Sequence, residues 1–257
     1  MSKIVRIILF TIHCSLFTVL LVSCATTPDI EDIKRAEVYY KLGISHLIGG
    51  RLADAFIEFQ KAIKLNPKDK DSLNALGLIS TEFEKYDEAL SYYRQAIAIE
   101  PNYSEAMNNM GVTYVRMERW DEAIEYFRMA LKNPLYPTPE RAYTNMGYAF
   151  YKKGDYVNAM SAIKNALVRY PDFPRALYVS GLIHVKLGND NQAIEEFKKA
   201  VAVDLEYIEG HWELGSAYLR VGDKKKAIEH FKVVFEKSDD IKRRKEALEY
   251  IELLKGK

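Results

Sequence analysis

Glycine recurs along this chain at Gly43, Gly77, Gly111, Gly147, Gly181 and Gly215, with spacings of 34, 34, 36, 34 and 34 residues. Other positions keep the same phase. Twelve residues after each glycine stands an alanine: Ala55, Ala89, Ala123, Ala159, Ala193 and Ala227. Four further on comes a bulky residue (Phe59, Tyr93, Phe127, Ile163, Phe197, Phe231), and three beyond that a smaller one (Ala62, Ala96, Ala130, Ala166, Ala200, Val234). A period of this length marks a unit of one helical hairpin, which cannot bury its apolar face alone and must stack on its neighbours. A glycine inside a helix costs about 1 kcal/mol relative to alanine, so six in one phase need a packing reason. The arrangement supplies one: Gly in the first helix and Ala in the second let two backbones approach, and the bulky residue fills the space beside them. Pro67, Pro101 and Pro171 then stop the second helix.

The pattern large–x2–Leu–Gly–x2–aromatic, then Ala–x3–Phe, then Ala and Pro resembles the tetratricopeptide repeat. The expected fold is all-α: a right-handed superhelical solenoid of six helix pairs plus a C-terminal capping helix, about thirteen helices in all. The repeats are expected at 36–69, 70–103, 104–137, 140–173, 174–207 and 208–241. Residues 242–257, with Ala247, Leu248, Ile251 and Leu254 at helical spacing, provide the cap.

The N-terminus has another character. Lys3 and Arg6 precede an apolar stretch from Ile7 to Val22, which is the order of a secretory signal peptide. Leu21-Val22-Ser23-Cys24 resembles the lipobox of bacterial lipoproteins, so residues 1–23 are expected to be removed and Cys24 lipidated. Cleavage there leaves 35 basic against 36 acidic residues and Cys24 as the one cysteine, which excludes an intramolecular disulfide. Several acyl chains on one cysteine anchor a protein stably. Ala25 after the cysteine favours the outer membrane of a Gram-negative bacterium by analogy with lipoprotein sorting. Residues 24–35 form a tether whose reach before the first helix is at most roughly 30 Å, so the folded part is expected on the periplasmic face, close to the bilayer.

A formal net charge of +1 with no long single-sign block gives no case for nucleic acid. The sequence has no P-loop, dinucleotide-binding glycine fingerprint, HExxH pair or nucleophile elbow. His46 and His184 occupy an aromatic repeat position, His211 the large one, and no histidine makes metal-ligand spacing with another. No catalytic residues, metal, cofactor or small-molecule substrate are expected, and the chain does not read as an enzyme.

In the repeat family the first helix of each pair lines the concave surface, through repeat positions 2, 5, 9, 12 and 13. At position 5 this chain has Tyr40, Asn74, Asn108, Thr144, Tyr178 and Trp212. Asn74 and Asn108, with Asn109 and Asn145 beside that row, are expected to hold an extended peptide, because an amide side chain both donates and accepts. Arg141, Arg175, Lys152 and Lys186 cluster in sequence around Tyr148, Tyr151 and Tyr178, which suits an acidic segment or a C-terminal carboxylate. The carboxylate clamp of chaperone-binding members is not matched, since Tyr40 and Ile44 stand where it needs Lys and Asn. The basic run Lys242-Arg243-Arg244-Lys245 opposes the dipole of the helix it enters and reads as a solvated capping face.

The junction between repeats three and four inserts two residues and carries Pro134, Pro137 and Pro139. "NPLYPTPERAYTNMG", with the lipobox, short tether and six repeats, resembles the type IV pilus biogenesis lipoproteins of the PilF/PilW family, or pilotins. That resemblance implies a binding scaffold whose partners are secretin subunits or other pilus-assembly proteins and which promotes secretin localisation and multimerisation. The alternative is a periplasmic adaptor for cell-wall enzymes or outer-membrane protein assembly. Because proline fixes φ and disfavours helix before it, the junction is expected to be a stiff corner dividing repeats one to three from four to six.

Overall fold

The computed structural model describes residues 28–256. The signal peptide and Cys24 lie outside the described residues. Thirteen helices follow one another among them, without strands. The first helices of the repeats are α1 (Ile30–Ile48), α3 (Lys70–Glu82), α5 (Ser104–Arg116), α7 (Pro139–Lys153), α9 (Pro174–Lys186) and α11 (Ile208–Arg220). Each packs on its second helix: α2 (Leu52–Leu65), α4 (Tyr86–Ile99), α6 (Trp120–Leu131), α8 (Tyr156–Arg169), α10 (Asp190–Val203) and α12 (Lys224–Lys237). The last helix, α13 (Ile241–Leu254), packs on α12. First helices from α3 onward also touch the first helix of the next repeat, whereas second helices make no comparable contact with one another. The first helices are therefore the inner layer of a curved array.

The periodic glycines do what their spacing demands. A Cβ placed on Gly77 would sit 2.5 Å from the ring of the buried Tyr93 in the facing helix, well inside contact distance. Gly147 keeps the rule where the partner is aliphatic: its Cβ would lie 2.7 Å from Ile163 Cδ1. The alanines at the next phase are fully buried. Each hairpin is thus held by backbone proximity and one large side chain, and the apolar face is completed by the following repeat.

The turn joining the two helices of a repeat needs one residue in the left-handed region. Gly50, Gly154, Gly188 and Gly222 supply it in repeats one, four, five and six, but repeats two and three use Glu84 (φ 59°) and Glu118 (φ 58°). At Glu84 the backbone closes as a Schellman motif, with Lys85 N–H donating to Ser80 O at 2.9 Å and Glu84 N–H to Thr81 O at 3.1 Å.

Two details depart from the sequence reading. The helix of repeat one begins at Ile30, within the segment expected to be a tether. Asp29 caps it by accepting from Asp32 N–H at 2.6 Å, and Glu31 and Asp32 complement the dipole of its first turn. The proline junction does not divide the core. One continuous cluster runs from Leu73 to Ile183 across it, and Tyr136, 6% exposed, packs with Met107, Ala130 and Ala142. Asn133 fastens the corner: its Nδ2 donates to Asn102 O at 3.1 Å while its Oδ1 accepts from Leu135 N–H at 2.9 Å. Leu135 is left pointing outward, 85% exposed. Pro139 and Pro174 occupy the first turns of α7 and α9, where a missing N–H costs nothing.

Candidate functional site

The inner faces of α1, α3, α5, α7, α9 and α11 carry the candidate residues, and the structure sorts them into groups. The four asparagines hydrogen-bond to one another. Asn109 Nδ2 donates to Asn74 Oδ1 and Asn145 Nδ2 donates to Asn108 Oδ1, both at 3.1 Å, with a longer contact of 3.5 Å from Asn108 Nδ2 to Asn109 Oδ1. Asn74 and Asn108 are buried. Amides expected to face a bound peptide instead join repeats two, three and four to each other.

The two ends of the position-5 row are packing residues. Tyr40 lies with its ring 5.8 Å from Phe59, half-buried, and its hydroxyl is pushed up by burial and by Asp71 and Asp69. Trp212 meets Phe231 and Tyr250 edge-on at 5.5 and 5.8 Å, and Arg243 of the capping helix lies 5.6 Å over its ring. The cap therefore packs against Trp212, which stays half-buried. In the 242–245 run Lys242, Arg244 and Lys245 are exposed, and Arg244 Nε also donates to Phe235 O at 3.0 Å. Asp240 offsets the basic entry to α13 by capping Lys242 and Arg243 N–H groups.

Lys152 is turned away from the tyrosines, its ammonium 5.7 Å over the Trp120 ring. Arg141 is exposed near the start of α7, where its charge and that of Glu105 act in opposite senses on the Tyr136 hydroxyl. Tyr148, Arg175 and Tyr178 do come together. They line a cleft of about 520 Å³ with Phe173, Pro174 and Val179. Tyr151 stands beside it, 6.1 Å from Tyr148. The remaining walls were not anticipated: Asp204, Tyr207 and Glu209. Tyr207 packs edge-on against Tyr178 at 5.4 Å. A signal for it existed, because an aromatic residue precedes the first helix at Tyr103, Phe173 and Tyr207 in step with the period.

The electrostatics of this cleft are not those of a basic groove. Burial pushes the Tyr178 hydroxyl far up, followed by the charges of Glu213, Tyr207 and Glu209. Burial also raises Tyr207, with Glu209 next and Arg175 opposing. The Glu213 carboxyl is itself raised by burial, with Arg220, Arg243 and Lys186 pulling the other way. Beside the cations expected around these tyrosines stand carboxylates the sequence reading did not include: Asp204 from the end of repeat five, and Glu209 and Glu213 from repeat six.

Repeat six holds a second polar pair the sequence reading passed over. His211 Nδ1 lies 3.0 Å from His230 Nδ1, and the other His211 nitrogen donates to Leu205 O at 3.2 Å, which leaves Nδ1 of His211 as the acceptor. Tyr218 stacks on the His230 ring at 5.7 Å. Burial lowers both, His230 to about 4. No group of His, Cys, Asp and Glu side chains among the described residues is arranged to hold a metal ion.

Profiles of the tetratricopeptide repeat match residues 36–69, 72–134 and 108–172, and a further one matches 181–222. This chain is a tetratricopeptide-repeat protein. No curated protein matches its sequence. Among solved structures it is similar to PilW, a widely conserved type IV pilus biogenesis factor: 25% identity, 83% of this chain and 98% of that one covered, TM-score 0.73. The fold is shared with Pseudomonas aeruginosa PilF at 17% identity, covering 85% and 99% with TM-score 0.71. A tetratricopeptide-repeat protein from Parabacteroides merdae shares it too, at 18% identity, 87% and 88% coverage and TM-score 0.66. As a tetratricopeptide-repeat protein, the chain has the fold of a protein-interaction scaffold. Among the described residues no helix is long and apolar enough to cross a membrane.

Proposed function

We propose that this repeat protein is a lipoprotein of the outer membrane that serves type IV pilus biogenesis from the periplasmic face. The reading is carried by its similarity to the solved PilW chain, 98% of which is covered. The junction sequence from Asn133 to Gly147 and the lipobox ending at Cys24 support it. In this role the lipid on Cys24 supplies location, and the solenoid supplies a docking surface for secretin subunits, favouring their delivery to the outer membrane and their assembly into a ring. The work is binding alone: each contact that prefers the assembled over the free secretin shifts the equilibrium by its differential affinity.

Deletion of the gene tests the reading. Secretin multimers in outer-membrane fractions are expected to fall, with unassembled subunits accumulating and surface pili lost; normal multimers and normal piliation overturn it. Cys24→Ala tests the anchor separately, with release from the membrane fraction as the expected result.

A further inference from the structure

The cleft between repeats four, five and six combines four aromatic rings, three of them tyrosines, with an excess of negative charge. Tyr148, Tyr178 and Tyr207 contribute to its walls, and Glu209 and Asp204 line it. Glu213, one helical turn after Glu209 on α11 and so on the same face, adds a third carboxylate beside the cleft; after burial, its charge is the next influence raising the Tyr151 and Tyr178 hydroxyls. Asp204 is partly occupied by Glu206 N–H at 3.0 Å. Among the described residues the side chains of Glu209 and Glu213 make no hydrogen bond or ion pair within 4 Å. Of the three cations acting on Glu213, Arg220 pairs with Asp190 at 2.6 Å and Arg243 lies over Trp212, which leaves Lys186 as the one without a partner of its own among the described residues. Arg175 is the one cation lining the cleft itself.

We infer that this cleft receives a cationic side chain of the partner protein, an arginine, between the tyrosine rings and against Glu209 and Glu213. A guanidinium is planar and weakly hydrated, so it can lie on an aromatic face while its edge meets a carboxylate; the compact, strongly hydrated ammonium of lysine does this less well. Burial of Glu213 strengthens the attraction, because charges interact more strongly where water is excluded. An acidic ligand, the guest expected from the tyrosines and arginines alone, would meet Arg175 but also three carboxylates. The inference rests on the reading of the chain as a protein-binding scaffold and specifies the chemistry its partner must present.

The test uses the detergent-solubilised full-length chain with 13C-labelled tyrosine rings, titrated with N-acetyl-arginine amide or N-acetyl-glutamate amide. The ring signals of Tyr178 and Tyr207 are expected to shift with the arginine probe, which binds about tenfold or more tighter than the glutamate probe. Glu209→Gln and Glu213→Gln each weaken the arginine probe by about tenfold, while Arg175→Gln tightens it. Preference for the glutamate probe, weakening by Arg175→Gln, equal affinities, or no ring shifts with either probe overturns the inference. Ring signals of the Gln variants without probe report whether the cleft is intact. Secretin multimerisation in the deletion strain is read independently, so failure of the cation site and failure of the pilus reading are told apart.

Discussion

Asn145 donates its side-chain amide to Asn108 one repeat earlier at 3.1 Å, and Asn109 makes the same bond to Asn74 at the same distance. In both cases the residue just after the row donates to the row residue of the preceding repeat, so the pairs form a ladder along the inner layer. Repetition turns a local polar choice into a bond between neighbouring units, which is where a solenoid holds its cooperativity. Asn108→Ala strands partners on two sides. It is expected to cost about 1–3 kcal/mol in urea denaturation, and a cycle with Asn145→Ala should show a coupling of about 0.5 kcal/mol or more.

Gly77→Ala places a methyl group 2.5 Å from the Tyr93 ring, which is fully buried and has nowhere to retreat. Overpacking of this kind costs about 1–3 kcal/mol, against the roughly 1 kcal/mol gain expected for Gly→Ala in an open helix. Thermal unfolding should therefore show net destabilisation.

Glu84 and Glu118 hold left-handed turns that glycine holds in four other repeats. Glu84→Gly and Glu118→Gly relieve that strain but loosen the unfolded chain, and the balance is expected to favour the fold by a few tenths of a kcal/mol, up to about 1. Gly188→Ala at φ 75° should act in the opposite sense by a comparable amount. Denaturant midpoints of the three variants check both signs.

Burial opposes a charge on either ring of the His211–His230 pair, and a proton on His211 Nδ1 would in addition set N–H against N–H. Both values lie below the ordinary 6.5, His230 at about 4, so the unfolded chain binds more protons than the folded one between those values. Stability is then fully present above about pH 6.5 and declines as pH falls toward 4. Urea midpoints at pH 7.5 and 4.5 should differ, and the His211→Phe/His230→Phe double variant should narrow the difference.

Much of the architecture was legible before any coordinates. A 34-residue period, with glycine, alanine and an aromatic at set phases, is a statement about two backbones meeting, and hairpin packing has few other solutions. The candidate site was legible only in part. Tyr148, Arg175 and Tyr178, at repeat positions 9, 2 and 5, share a cleft, because those positions lie on the inner face of successive first helices. Yet Trp212 went to the cap, the asparagines to each other, and Lys152 to Trp120.

What the sequence by itself determined was the repeating unit: its length, its helix pair and the residues that close it, all set by contacts within about 34 residues. Only the tertiary structure decided which polar groups remain available, because that depends on the neighbouring repeat. Glu209 and Glu213 lie one repeat beyond Arg175 and Tyr178, and stacking alone brings them together. Charge at a surface formed between units is a property of the stack, and a carboxylate contributed by the next repeat can reverse the sign that one repeat presents.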